Sequence, residues 1–134
     1  MSRILLDTSA YSAFIGGDQT AVEAVQTAQA LFLNPIVIGE LLAGFGGGRK
    51  REENESGLGQ FLASPRASVV DVDEETSSRY ALILNSLRAA GTPIPANDIW
   101  IAASAMQHGL ELLTADAHFS KVAQIVVRPL KSIQ

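Results

Sequence analysis

The first strand of the chain constrains the fold more than any other segment. Residues Ser2 to Leu6 are predicted to form a short strand in which three apolar side chains follow one another without alternation. Apolar side chains on both faces are typical of a parallel strand that is covered by helices on either side of its sheet. Asp7 then ends the strand with a charge. The segment therefore indicates an α/β protein with a parallel sheet.

Strands and helices alternate along the rest of the chain, which favours the same class. Further strands are predicted at 31–33, 68–72, 110–114 and 125–127. Helices are predicted at 20–28, 35–44, 49–63, 74–90 and 96–108. The first of these helices is expected to begin with a capping box formed by Thr20 and Glu23, and three glycines at 46–48 are expected to break the second. Since the sequence has no repeat and no linker, we expect residues 1–134 to form a single domain.

Composition excludes several classes of protein. With 47% hydrophobic and 18% charged residues, the chain is not expected to be mainly disordered. It has no cysteine, which excludes disulfides, zinc–thiolate sites and cysteine nucleophiles. No segment has the ~20 apolar residues of a membrane span, and the start does not resemble a signal peptide. The net charge is −4, so any nucleic acid would have to be bound through local basic groups or a metal ion.

Four carboxylates stand where a negative charge is costly or where parallel sheets bind ligands. Asp7 and Asp116 follow predicted buried strands, and ligands of open parallel sheets bind beyond the carboxyl ends of the strands. Glu40 and Asp98 lie in helices that are apolar nearly all round. Unpaired buried carboxylates are destabilising, and basic residues are scarce near these four in the sequence. A divalent cation would relieve their repulsion, and oxygen ligands favour Mg²⁺ or Mn²⁺ over zinc.

Each acid also has an ordinary explanation when it is taken alone. Asp7 and Asp116 could be turn residues at strand ends, and Asp98 could interact with the dipole of its helix. Glu40 could pair with a basic residue from elsewhere in the chain. The residue pattern alone therefore leaves two interpretations open, one joint metal site or four separate structural roles.

The four acids lie in four short motifs, Leu5-Leu6-Asp7-Thr8-Ser9, Ile38-Gly39-Glu40-Leu41, Asn97-Asp98-Ile99-Trp100-Ile101-Ala102-Ala103 and Leu113-Thr114-Ala115-Asp116-Ala117-His118-Phe119. In this order, and over nearly the whole chain, the motifs resemble the PIN-domain ribonucleases, and most of all the VapC toxins of bacterial toxin–antitoxin pairs. The resemblance implies a three-layer α/β/α sandwich with a central, mostly parallel sheet. It also implies endonucleolytic cleavage of RNA at an acidic pocket that holds Mg²⁺ or Mn²⁺. The three glycines at 46–48 form an unusually flexible break for this family.

The resemblance assigns roles to individual residues and implies partners. The catalytic and metal-binding carboxylates would be Asp7, Glu40, Asp98 and Asp116, supported by Thr8, Ser9, Asn97 and Thr114. VapC-like proteins are usually homodimers that a cognate antitoxin neutralises, so both partners are expected beside the RNA substrate. A cytoplasmic location is expected on the same grounds.

Three further features leave alternatives open. The densest basic cluster, Arg49-Lys50-Arg51, is either an arm that contacts RNA or the solvated start of a helix. His118 is expected to have a structural or substrate-edge role, and His108 to interact with the carboxyl end of its helix. Other functions that would use the same acids are a non-catalytic module that binds a partner's arginines, and a metal-dependent phosphohydrolase acting on a small phosphate ester.

Overall fold

The computed structural model describes residues 2–130, in which strands and helices alternate as the sequence predicts. The strands are β1 (Arg3–Leu6), β2 (Ala30–Leu33), β3 (Ala67–Val69), β4 (Glu111–Thr114) and β5 (Val126–Pro129). The helices are α1 (Thr8–Ile15), α2 (Gln19–Thr27), α3 (Pro35–Gly46), α4 (Arg51–Leu62), α5 (Glu74–Ala90) and α6 (Ala96–His108). A short 3₁₀ helix, Ala117–Lys121, joins β4 to β5. No helix within residues 2–130 is long and apolar enough to cross a membrane.

The strands form one sheet in the order β3-β2-β1-β4-β5, and each of its four strand pairings is parallel. The central strand β1 pairs through Leu5 with Phe32 of β2 on one side and with Leu112 of β4 on the other. Ile4, Leu5 and Leu6 of β1 are fully buried. Burial on both faces confirms the parallel central strand that the sequence predicts.

The strand order reverses direction between β1 and β4. From β1 the chain moves outward to β2 and β3 through α1–α4, and it then crosses back to β4 and β5 through α5 and α6. Because parallel crossovers are right-handed, the two directions of travel place these two sets of helices on opposite faces of the sheet. The predicted three-layer α/β/α sandwich is therefore confirmed. The carboxyl ends of β1 and β4 lie side by side at the reversal, where parallel sheets bind their ligands.

The start of the chain differs from the sequence prediction in two places. Residues Thr8–Ile15 form helix α1, which was not predicted, and the Asp7 side chain caps it by accepting from the Ala10 amide. The predicted capping box at Thr20 is wrong. Helix α2 is instead capped by Asp18, whose carboxylate lies one residue before the helix and accepts from the Ala21 amide at 2.9 Å.

The glycine-rich connection has the predicted length, but it lies two residues further along the chain than the sequence predicts. Helix α3 continues through Gly46 and ends at Gly47, and α4 does not begin until Arg51. Among the described glycines, positive φ angles occur at Gly17, Gly91 and Gly109, and not at 46–48. The backbone of this connection is therefore open to residues other than glycine.

Candidate active site

The site is built at the reversal of strand order, beyond the carboxyl ends of β1 and β4. Asp7 directly follows β1, and its backbone amide donates to the carbonyl of Leu113 in β4 at 3.3 Å. Thr114 ends β4, and Asp116 follows it by two residues. Helix α1 begins immediately after Asp7, which turns the chain away from the sheet and leaves the carboxylate at its edge.

The Asp7 carboxylate is held by three donors and is only 3% exposed. Its Oδ1 accepts from the Ser9 hydroxyl at 2.7 Å and from the Ala10 amide at 2.8 Å. Its Oδ2 accepts from the Thr114 hydroxyl at 2.5 Å. Burial raises the pKa of Asp7, and these hydrogen bonds oppose that shift while the charge of Asp116 adds to it. The side chain is thus fixed in orientation, and no basic side chain among residues 2–130 forms an ion pair with it.

Two hydroxyl groups connect Asp7 to the chain that follows β4. The Thr114 hydroxyl oxygen accepts from the Asp116 amide, and the Ser9 hydroxyl oxygen accepts from the Ala115 amide, both at 2.9 Å. The two hydroxyl oxygens are 3.3 Å apart. This small network fixes the positions of Asp7 and Asp116 relative to each other.

Glu40 approaches the same site from the middle of α3. Its Oε1 accepts from the Thr8 hydroxyl, and its Oε2 accepts from the Asn97 side-chain amide at 3.0 Å. Thr8 belongs to α1 and Asn97 to α6, so the two donors tie the Glu40 carboxylate to both neighbouring helices. The side chain of Glu40 is partly buried, as the apolar surroundings in the sequence suggest.

A buried pair that the sequence analysis missed sets the position of α3 itself. Asn34 caps α3 by accepting from the Val37 amide at 2.9 Å, and its side chain donates to the Ser104 hydroxyl of α6 at 3.0 Å. Both side chains are fully buried. The Asn-Pro pair at the start of α3 signalled the cap, but nothing in the sequence signalled the contact with α6.

The second half of the site is formed by Asp98, Asp116 and His118. The Nδ1 atom of His118 lies 3.0 Å from Asp98 Oδ2 and 3.1 Å from Asp116 Oδ1. One ligand atom from each of the three residues falls within 4.8 Å of the other two. Burial is the main cause that raises the pKa of Asp98, the hydrogen bond from His118 lowers it, and the charges of Asp116 and Glu40 raise it further. The sequence analysis did not place His118 among the site residues, although it lies two positions after Asp116.

All four predicted carboxylates line a single cleft of about 500 Å³. The remaining lining residues are Thr8, Ser9, Ala43 and Ile101. Within residues 2–130, no lysine or arginine forms an ion pair with any of the four carboxylates. The structure thus brings together Asp7, Glu40, Asp98 and Asp116 with Thr8, Ser9, Asn97 and Thr114 around them.

The predicted basic cluster lies apart from this cleft. Arg49 and Lys50 occupy the turn between α3 and α4, Arg51 begins α4, and all three are exposed. Arg51 pairs with Glu55 on the same helix at 3.0 Å. None of the three lines the acidic cleft.

The residues of the cleft suit a hard divalent cation. The four carboxylates offer oxygen ligands, which Mg²⁺ and Mn²⁺ prefer. Burial raises the pKa of Asp7 and Asp98, and neither has a lysine or arginine partner in the described part of the chain. A bound cation would favour the ionised form of each acid, and so lower its pKa.

The parallel sheet and the acidic cleft at its reversal define an α/β protein with an acidic site at the edge of an open sheet, and comparison with known proteins gives the family. The PIN domain family matches residues 4–125, and the chain belongs to this family. Its sequence is 32% identical over 126 residues to Ribonuclease VapC4 of Mycobacterium tuberculosis, a match that spans 93% of this chain and 95% of that protein. Ribonuclease VapC2 of Rickettsia felis is 25% identical over 107 residues, which is 79% of this chain and 78% of that protein.

Solved structures agree with this assignment. The crystal structure of FitAcB from Neisseria gonorrhoeae contains a chain that is 26% identical, with a TM-score of 0.77 and coverage of 96% of this chain and 99% of that chain. DNA-bound VapBC from Salmonella typhimurium contains a chain with a TM-score of 0.82 at 23% identity, covering 96% of this chain and 98% of that chain. The second similarity supports the fold alone, and the predicted PIN-like fold is confirmed.

Proposed function

We propose that this protein is a metal-dependent endoribonuclease that acts as the toxin of a toxin–antitoxin pair. The observation that carries the proposal is the convergence of Asp7, Glu40, Asp98 and Asp116 on one cleft without a lysine or arginine partner among the described residues. The family and the VapC ribonuclease relatives support it. We further propose that the protein works in the cytoplasm, where its RNA substrate would be available.

The proposed cofactor is Mg²⁺ or Mn²⁺, held by Asp7, Asp98, Asp116 and Glu40. When bound, the cation supplies positive charge that stabilises a phosphodiester under attack and makes a nearby water more acidic. Ser9 and Thr114 orient Asp7 through their hydroxyl groups, and Thr8 and Asn97 orient Glu40. Because these donors are themselves part of α1, β4 and α6, the carboxylates are preorganised before substrate binds.

An RNA cleavage assay with matched variants tests the proposal. The wild-type protein is expected to cleave a mixed RNA pool with Mg²⁺ or Mn²⁺ and to stop when EDTA is added. Hydrolysis by water would leave 5′-phosphate and 3′-hydroxyl ends, without use of the ribose 2′-hydroxyl. Asp7→Asn keeps the side-chain shape and should fold but lose cleavage and toxicity.

Asp18→Asn is the matched control for that variant. It makes the same change of charge, but Asp18 caps α2 outside the cleft, and asparagine caps helices as well as aspartate does. The control should therefore cleave RNA at the wild-type rate. Equal cleavage by Asp7→Asn and the wild-type protein would contradict the catalytic assignment.

We also propose a cognate antitoxin and a homodimer as the partners of this chain. Solved relatives include toxin–antitoxin complexes, among them VapBC-5 from Mycobacterium tuberculosis. A groove of about 550 Å³ lies beside the carboxyl end of α3, between α1 and α4, with Tyr11, Ile15 and Phe45 among its lining residues. Ile15 is 54% exposed there. This groove suits the carboxyl-terminal segment of an antitoxin, which would extend an arginine or lysine toward the acids.

Deleting the carboxyl-terminal segment of the antitoxin tests this mode of inhibition. The truncated antitoxin should no longer prevent RNA cleavage, because it would lack both the apolar contacts with the groove and the basic side chain. Full inhibition by the truncated antitoxin would contradict the proposal. Sedimentation of the isolated protein would test the homodimer.

A role for Arg49, Lys50 and Arg51 in RNA binding is a separate proposal. The protein as a whole is acidic, and these residues are exposed at the turn between α3 and α4 and at the start of α4. Replacing all three with alanine should weaken RNA binding. It should also reduce the slope of the logarithm of the binding constant against the logarithm of salt concentration by up to roughly 2, because each phosphate contact on a single strand contributes ~0.7. Mg²⁺ binding should not change. An unchanged salt dependence would leave these residues as a solvated surface.

A further inference from the structure

Hydrogen bonding accounts for only one of the two close contacts of the His118 ring. Its Nδ1 atom lies 3.0 Å from Asp98 Oδ2 and 3.1 Å from Asp116 Oδ1, so one ring nitrogen faces two carboxylate oxygens. A ring nitrogen carries at most one hydrogen, which makes one good hydrogen bond. The contact with Asp98 has the geometry of such a bond, and the contact with Asp116 is close without completing a second one.

The two distances from Nδ1 match the spacing of neighbouring ligands on one metal ion. Ligands at right angles around an octahedral ion are about 2.9 Å apart when each bond is ~2.0–2.1 Å. Both distances from Nδ1 are within a few tenths of an ångström of that spacing. Histidine binds metals through Nδ1 as well as through Nε2. An ion shared by Asp98, Asp116 and His118 would satisfy all three atoms at once.

The local backbone holds the ring in this place. The backbone amide of His118 donates to Asp116 Oδ1 at 2.8 Å, which fixes the residue beside the carboxylate that begins the 3₁₀ helix. The next residue, Phe119, is fully buried and anchors the same turn in the core. The His118 side chain itself is 44% exposed, so the ring can exchange the Asp98 contact for an ion without unfolding the turn.

We infer that His118 Nδ1 is a direct ligand of the metal ion, together with Asp98 and Asp116, so that the site has mixed nitrogen and oxygen donors. The inference rests on the proposed metal-dependent function and goes beyond its all-carboxylate site. Imidazole favours transition metals, whereas Mg²⁺ prefers oxygen. His118 therefore makes the site selective for Mn²⁺ and Co²⁺ over Mg²⁺ to a degree that carboxylates alone would not.

Pulsed electron paramagnetic resonance of bound Mn²⁺ gives a direct test. The full, tag-free chain has two histidines, His108 and His118, so a histidine nitrogen signal has two possible sources. Wild-type protein loaded with Mn²⁺ should show nuclear modulation from a directly bound nitrogen, and the pattern should change when histidine is labelled with ¹⁵N. The signal should disappear in His118→Asn and persist in His108→Asn.

Calorimetric titration provides a second readout that does not depend on RNA cleavage. Asparagine can still donate a hydrogen bond to Asp98, but it offers no imidazole nitrogen. His118→Asn should weaken Mn²⁺ binding by about tenfold or more, at the scale seen when metal-site groups are removed. Mg²⁺ binding should change much less, so the ratio of the two affinities should fall.

The outcomes separate this inference from the proposed function. Full Mn²⁺ binding without a histidine nitrogen signal would overturn the inference and leave the proposed ribonuclease intact. An affinity ratio that is unchanged in His118→Asn would also overturn it. Absence of any Mn²⁺ or Mg²⁺ binding by the wild-type protein would overturn both the inference and the metal-dependent function.

Discussion

At the scale of single residues, the site depends on hydroxyl groups as much as on carboxylates. Thr114 is buried at the end of β4 and connects to both Asp7 and Asp116. The sequence indicated the carboxylates because a charge after an apolar strand is conspicuous. It could not indicate the part played by Asn34 or His118, because their contacts join residues far apart in the chain or depend on ring orientation.

Replacing Thr114 with valine tests the hydroxyl network. Valine has the same shape but leaves Asp7 Oδ2 and the Asp116 amide without their partner, so the variant should lose about 1–3 kcal/mol of unfolding free energy. The rate of RNA cleavage should fall as well, because the hydroxyl group that holds Asp7 and Asp116 in position relative to each other is missing. Thr114→Ser keeps the hydroxyl and serves as the control. Urea unfolding that did not distinguish the valine and serine variants would argue against the network.

The carboxylates should also act as a unit in cleavage. Asp7→Asn and Asp98→Asn each remove one charge from the same cleft, and effects of residues that work together are not additive. The double variant should therefore cleave RNA hardly more slowly than the slower single variant. Single-turnover rates for the three proteins measure this directly. If the rate reductions of the two single variants multiplied in the double variant, the two acids would act independently.

At the scale of secondary-structure elements, most boundaries followed from local signals and the exceptions have local causes. Helix α5 has its predicted bounds, because Asp73 caps its start and Gly91 ends it in a left-handed conformation. Helix α1 was missed because Asp7 was interpreted only as the residue that ends β1. The same side chain also caps α1, which begins at the next residue. The end of α3 was predicted too early because glycine weakens a helix without excluding it. Packing of α3 against the rest of the protein determines where the helix ends.

A pair of glycine substitutions tests this reading of the glycine connection. Gly46 lies in α3 with a helical backbone, and a β-carbon there would meet no atom within 4 Å. Gly46→Ala should therefore stabilise the protein by about 0.5–1 kcal/mol. Gly109 ends α6 at φ 64°, so Gly109→Ala should destabilise it by about 1–2 kcal/mol. Chemical denaturation of both variants measures the difference in sign, and a destabilised Gly46→Ala would contradict the expectation.

At the scale of the whole molecule, metal-free stability should depend on pH through the buried acids. Burial raises the pKa of Asp7 and Asp98 above the usual 3.8, so the folded protein keeps these protons at pH values where the unfolded chain has lost them. The folded state then binds more protons than the unfolded state, and stability falls as pH rises from 3.8 through the raised pKa values. At pH values above both raised pKa values, the whole of this loss of stability is present.

Asp98→Asn should reduce this loss of stability. In EDTA, the midpoint of thermal unfolding should fall less between about pH 4 and about pH 7 in the variant than in the wild-type protein. Mn²⁺ should reverse the comparison, because it stabilises the protein that binds it by mass action and the variant lacks one ligand. Parallel pH curves in EDTA, together with equal responses to Mn²⁺, would contradict both the raised pKa and the metal site.

The reversal of strand order also determines when a growing chain can become active. Asp7 and Thr114 are 107 residues apart in sequence, yet their side chains share a hydrogen bond across adjacent strands. The first carboxylate leaves the ribosome early, whereas β4 and Asp116 follow only after α1–α6 have been made. A nascent chain without β4 cannot assemble the cleft, however well its first half has folded. On the proposed function, the nascent chain therefore cannot cleave the RNA around the ribosome before β4 and Asp116 have been made.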